Sequence, residues 1–172
     1  IKEAGYPVYT TYDWIKNPGK KGVIIRHDVD RKPKNALRMA TLEMENKIRT
    51  TYYFRILKHT LKPDIISSIA EMGHEIGYHY EDLSIANGDM EKAIQLFSKH
   101  LKTLREITPI HTIAMHGRPL SPYDNRDLWK VYNLDEFNLI GESFLSIDYS
   151  DKYYVTDTGR SWLDNSSNIR DR

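Results

Sequence analysis

Asp28 and Asp30, in the segment HDVD, are two residues apart. In an extended strand both side chains point to the same side, so both can serve one site. Two carboxylates so placed repel unless a cation or a shared proton lies between them. A divalent metal is the natural cation. One Asp would bind it while the other stays free to take a proton from the attacking water. The competing reading is that the pair only turns the chain and caps the next helix.

Further donors lie in HEIGYHYEDL, His74–Leu83. His74 and His79 are five apart, an odd separation that sends them to opposite faces of a strand unless a bulge intervenes. His74 opens the run and reads as structural, and His79, near its end, is the better ligand. Tyr80 and Glu81 adjoin it and are candidates for substrate binding. Glu81 also shares the parity of His79, which makes it a competing ligand. His116 and Arg118, in HGRP, follow a further apolar run. His59, His100 and His111 fall in a loop, on a helix and at a strand start, and read as ordinary polar positions.

Residues of these types need elements that converge. GVIIRHDVD, TTYYFRI, HEIGYHY and IHTIAMHG read as strands from their β-branched and aromatic content, with NLIGESF and KYYVTDTG as later strands. KPKNALRMATLEMENK places Leu37, Ala40, Met44 and Ile48 at helical spacing behind Pro33. KPDIISSIAEMG is a helix closed by Gly73. GDMEKAIQLFSKHLKTLREI carries one apolar stripe from Met90 to Leu104, and a short helix is expected around NRDLWKVY. Alternating strands and helices predict βαβ units and a mainly parallel sheet, either an open doubly wound sheet or a barrel. In such folds sites gather at the carboxyl ends of the strands, where Asp28, Asp30, His79 and His116 fall.

The 172 residues suit one domain with a sizeable core. A net charge of +1 gives no electrostatic case for nucleic acid, and no apolar run approaches a membrane span. There is no cysteine, so disulfides and thiolate metal sites are excluded. The twelve tyrosines would suit either a sugar cleft or the surfaces of a sheet. The absence of an export signal points to the cytoplasm, or to an extracytoplasmic site if a signal segment precedes Ile1.

HDVD after a strand, GHEIGYH after a helix and the Arg-Pro loop after a fourth strand resemble the polysaccharide deacetylase superfamily, the NodB-homology carbohydrate esterases. The similarity runs from Val23 to Trp162. It implies a distorted or incomplete (β/α) barrel, forming one catalytic domain over residues 1–172 whose natural termini can lie beyond both ends. It implies metal-dependent removal of an acyl group, chiefly N-acetyl, from a carbohydrate or polysaccharide precursor. Carried over residue by residue, it makes Asp28 the general base, Arg118 the arginine that orients it, and Asp30 and His79 metal ligands. Asp157 and Trp162 would line the acyl pocket. Zinc is the expected metal, with nickel, cobalt or iron as alternatives.

The departure from the family pattern is Leu83. It stands where a second histidine is expected, four residues after His79. His116 is the expected replacement, since a zinc site normally offers three protein ligands and His116 ends the strand leading to Arg118. Gly117 would let the backbone turn there. Glu81 and Asp82 are the competing replacements, and the alternative role for His116 is general acid. Two rival readings stand beside the hydrolase: a non-catalytic sugar-binding domain on the same scaffold, and a haloacid-dehalogenase-like phosphatase. In the second, Lys32 occupies a position where Thr or Val is expected.

Overall fold

A computed structural model describes the chain apart from Lys2, Lys20, Pro119 and residues 157–172. Two short strands, β1 (Val8–Tyr9) and β2 (Val23–Ile24), pair in parallel, and α1 (Thr11–Lys16) lies between them in the chain. The main sheet holds β3 (Arg26–Val29), β4 (Thr51–Phe54), β5 (Glu75–Tyr80), β6 (Thr112–Met115) and β7 (Gly141–Glu142). All of its pairs are parallel, and its spatial order is the chain order. The protein is thus of mixed α/β class with a five-stranded parallel sheet.

The order is that of a sheet extended along one edge. A doubly wound sheet needs a reversal of strand order, and here each strand adds to the same edge. Right-handed crossovers in a constant direction would lay helices along one face of such a sheet. Among the described residues the five strands do not close into a ring. Asp30 lies one residue past β3 and Tyr80 ends β5, with β4 between those strands.

The helices follow their local signals. α2 (Pro33–Glu45) and α3 (Pro63–Glu71) each begin with proline in the first turn, where the missing N–H costs no bond. After α3 the chain reverses at Gly73, with φ of 90°, a conformation glycine adopts freely. α4 (Asp82–Ile85) is a single turn. α5 (Met90–Arg105) is capped by Asp89, whose carboxylate accepts from Lys92 N–H at 3.0 Å. Its Ala93, Phe97, Leu101 and Leu104 are buried against the sheet. The α2 stripe is shorter than its periodicity predicts. The helix stops at Glu45 and the backbone turns left-handed at Lys47, which leaves Met44 exposed and Ile48 outside the helix. NRDLWKVY contains a 3-10 helix, Asn125–Lys130, and of NLIGESF only Gly141–Glu142 pairs as a strand. Residues 152–156 of the expected last strand have no regular structure.

Tyr52, Tyr53, Tyr78 and Tyr80 are sheet core, each at most 2% exposed. Each buried hydroxyl has a partner: Glu43, Thr112, Asp82 and Trp129 respectively. The tyrosines therefore supply both apolar bulk and fixed polar links inside the fold.

On the helix side of the sheet, Glu43 of α2 accepts from Tyr52 Oη at 2.6 Å and Thr50 Oγ1 at 2.7 Å, and meets His27 Nε2 at 2.7 Å. Burial pushes its carboxyl up, but the hydrogen bonds from His27 and Tyr52 hold it below the usual glutamate range. A lowered folded-state value means this contribution is fully present above the unfolded value. It is lost as the pH falls through the folded one. Glu43→Ala is expected to cost about 1–3 kcal/mol, because the Tyr52 hydroxyl is left buried and unpaired. Thermal unfolding at neutral and acid pH checks this. The loss should be largest at neutral pH and shrink in acid, and an unchanged midpoint at neutral pH would contradict it.

Candidate metal centre

The site is built from rows of the sheet. Register aligns Asp28 with Tyr53 and Tyr53 with Gly77. Gly77 has no side chain because Tyr53 fills its place: a Cβ there would stand 2.2 Å from the Tyr53 ring. One row further toward the carboxyl ends, the same register brings Asp30, Arg55 and His79 side by side, with His79 opposite Ala114. The next row sets Glu81 opposite His116, just past the paired Tyr80 and Met115.

Asp30, His79 and His116 converge. One ligand atom from each lies within 4.8 Å of the others. Nε2 of His79 is 3.7 Å from Asp30 Oδ1, and Nε2 of His116 is 3.5 Å from the same oxygen. Nδ1 of His79 lies 2.9 Å from the Ala114 carbonyl, which only accepts, so Nδ1 donates and Nε2 keeps its lone pair for the site. Burial holds the His79 imidazole below the ordinary histidine range, against the pull of Asp28 and Asp30. A neutral imidazole is the form that binds a metal. Oδ1 of Asp30 is buried and has no hydrogen-bond partner, although 42% of the side chain is exposed. A buried carboxylate oxygen without a hydrogen bond, facing two imidazole nitrogens and with Arg55 Nη1 4.0 Å away, fits a cation. The donor set of two imidazoles and one carboxylate suits zinc with an open position, and equally iron or cobalt.

Asp28 stands beside this group, its Oδ2 3.7 Å from His79 Nε2. It also accepts from Arg26 Nη2 at 2.8 Å. Burial pushes the Asp28 carboxyl up, but the charges of His79 and Arg26 and the Arg26 hydrogen bond hold it below the usual range. With His79 neutral, Arg26 is the charge that acts. Arg26 is itself fixed: Nη1 donates to Ser143 Oγ at 2.8 Å, and its guanidinium lies 4.4 Å from the Phe144 ring centre.

Behind His116, Glu81 is buried. Arg55 Nε donates to its Oε1 at 3.0 Å and Arg55 Nη2 binds the same oxygen. Glu81 Oε2 is 3.3 Å from His116 Nδ1 but off the line of a hydrogen bond, so both atoms are buried without a formed bond. Burial pushes the Glu81 carboxyl up, but His116 and Arg55 bring it down to about 2. The backbone of His116 is pinned on both sides. Its N–H donates to Tyr80 O at 2.7 Å, and its carbonyl accepts from buried Asn125 Nδ2 at 3.2 Å.

Several expected positions differ. Arg118 is exposed in the loop after β6, and the arginine that reaches Asp28 is Arg26. Tyr80 has no surface to offer a substrate. It is fully buried, and strand alternation turns it toward Trp129, away from His79. Glu81 is turned to Arg55 and His116 rather than to solvent. Gly117 has no positive φ and open space where a Cβ would stand, so the turn does not depend on glycine. Asp157 and Trp162 lie outside the described residues. Leu83 is 2% exposed and packs in the helix-side core, so the position after His79 that the family pattern assigns to histidine faces away from the site. His74 is structural: Thr50 N–H donates to its Nδ1 and its Nε2 meets Ala40 O. His59, in the loop after β4, comes within 3.2 Å of the Asp30 carbonyl through Nε2 and so lies at the rim.

Sequence reasoning missed Arg26, Arg55 and Asn125. Arg26 was within reach, since the spacing that puts Asp28 and Asp30 on one face also puts Arg26 there. Neither models of known protein families nor curated proteins matched the chain when compared with it. What fold and site define together is an α/β protein with a His/His/Asp group able to hold a metal ion. No helix among the described residues is long and apolar enough to cross a membrane.

Proposed function

We propose that the chain is a metal-dependent hydrolase that removes an acyl group, chiefly N-acetyl, from a carbohydrate, on an incomplete (β/α) barrel of the polysaccharide deacetylase type. The observation that carries this reading is the convergence of Asp30, His79 and His116 with a separate carboxylate, Asp28, tied to Arg26. A sugar-binding domain has no use for a free carboxylate beside a cation site, and a hydrolase needs one.

Asp30, His79 and His116 would hold the ion. When bound, it supplies Lewis-acid polarisation of the acyl carbonyl and makes water more acidic. Asp28 takes the proton of the attacking water, and Arg26 keeps that carboxylate ionised and aimed. As the C–N bond breaks, the same carboxyl returns the proton to the leaving nitrogen. His59 and Arg118, exposed in the loops after β4 and β6, would meet the sugar.

The test is metal analysis of protein purified without chelator, followed by assay of acetate release from N-acetylated sugars. Stoichiometric zinc, nickel, cobalt or iron, with release abolished by chelation and restored by metal, is the expected result. A protein that neither carries metal nor takes it up would overturn the hydrolase reading in favour of binding alone.

A further inference from the structure

We propose that Glu81, clamped by Arg55, is the positioning residue for His116 and fixes which of its nitrogens faces the site. This rests on the metal-site reading above and adds to it the partner that fixes one of its ligands.

The imidazole of His116 is addressed from two sides. Nε2 faces Asp30 Oδ1 at 3.5 Å, and Nδ1 faces Glu81 Oε2 at 3.3 Å. Glu81 therefore lies behind the ring, on the side away from Asp30, which removes it from the competition for ligand. A carboxylate oxygen only accepts, and Glu81 Oε2 lies nearer to Nδ1 than Asp30 Oδ1 does to Nε2, so with a cation between Nε2 and Asp30 the hydrogen belongs on Nδ1 and Nε2 presents its lone pair. Arg55 makes this specific. Its Nε and Nη2 both bind Oε1, which leaves Oε2 as the oxygen turned to His116. Oε2 and Nδ1 are both buried, 3.3 Å apart, and neither has a hydrogen-bond partner elsewhere. His79 gets the same service from the Ala114 carbonyl, within the β5–β6 ladder. His116 lies just past the end of β6, and a side chain does the work there.

Glu81→Gln tests the proposal because it nearly preserves shape and inverts one donor. Arg55 demands the amide oxygen, so the amide NH2 turns to His116 Nδ1. That nitrogen must then accept, and the hydrogen moves to Nε2, where it blocks ligation. The expected result is a zinc affinity lower by roughly 10–100-fold, the usual effect of losing such a partner. Glu81→Asp, which keeps a carboxylate, should recover part of it.

A second readout needs no metal. Nitrogen-15 NMR of the metal-free protein, taken at a pH where the His116 ring is seen to carry a single hydrogen, should show it on Nδ1 in the wild type and on Nε2 in Glu81→Gln. Wild-type His116 protonated on Nε2, or Glu81→Gln binding zinc as tightly as wild type, would overturn the proposal. A wild type that shows the expected tautomers and binds no zinc would keep the positioning role and remove the metal reading instead. If Glu81→Gln fails to fold, the wild-type tautomer still decides.

Discussion

Zinc at a roughly hundredfold excess over its dissociation constant is expected to stabilise the wild-type fold by ~2.7 kcal/mol, and His79→Ala is expected to abolish that gain. For a chain of this size, ~2–4 °C per kcal/mol turns it into a rise of roughly 5–11 °C in Tm. His79 is the residue to remove because it is the most buried of the three ligands and the most firmly aimed, with Nδ1 tied to Ala114 O at 2.9 Å. Without it only Asp30 and His116 remain, below the three protein ligands a zinc site normally offers. The comparison is the shift with and without zinc in each protein, so any intrinsic loss of stability in the variant cancels. A variant that keeps the wild-type zinc shift would show that the ion sits elsewhere or is held without His79.

Asp28→Asn is expected to leave the zinc-dependent rise in Tm intact and to slow acyl hydrolysis by roughly 10²–10⁴-fold, the typical worth of a positioned base. Asparagine keeps the shape and can still accept from Arg26, so the loss isolates proton transfer. If the variant loses zinc binding instead, Asp28 is a ligand and the base is another group. The pH profile gives a second handle. Burial works to raise the Asp28 carboxyl, and the bonded Arg26 holds it below the usual range, so the acid limb of the wild-type profile should fall at low pH. Arg26→Met removes the directly bonded cation, and the carboxylate it stabilised then takes up a proton more readily. The acid limb should move to higher pH, with activity lost first in mildly acid buffer. An Arg118→Met protein serves as the control, and its acid limb should not move, since the guanidinium bonded to Asp28 is that of Arg26.

The sequence was informative where the signal is local. The β-branched and aromatic runs around Val29, Tyr53, Tyr78 and Ile113 could only be strands, and the stripe from Ala93 to Leu104 could only be a buried helix face, because periodicity is written in near neighbours. The shared face of Asp28 and Asp30, and the placing of His79 and His116 at strand ends, come from the same alternation. β1 and α1 left no such trace, being too short to show a period, and β2 was read as one strand with β3 although it pairs in the small sheet.

What lies between strands had to wait for the tertiary structure. The order of the sheet fixed its single direction of winding, a property of crossovers that no one segment encodes. Register set Asp30, Arg55 and His79 in one row and Glu81 against His116 in the next, pairing residues 35 positions apart. Packing turned Leu83 into the helix-side core and Tyr80 onto Trp129, and it gave Asp28 its arginine from two residues upstream rather than from the loop at Arg118. Residue types and alternation thus determined which groups could do chemistry and which face each occupied. Hydrogen-bond register and side-chain packing decided which of them meet, because those contacts depend on partners far away in the chain, whose alignment is set only when the sheet assembles.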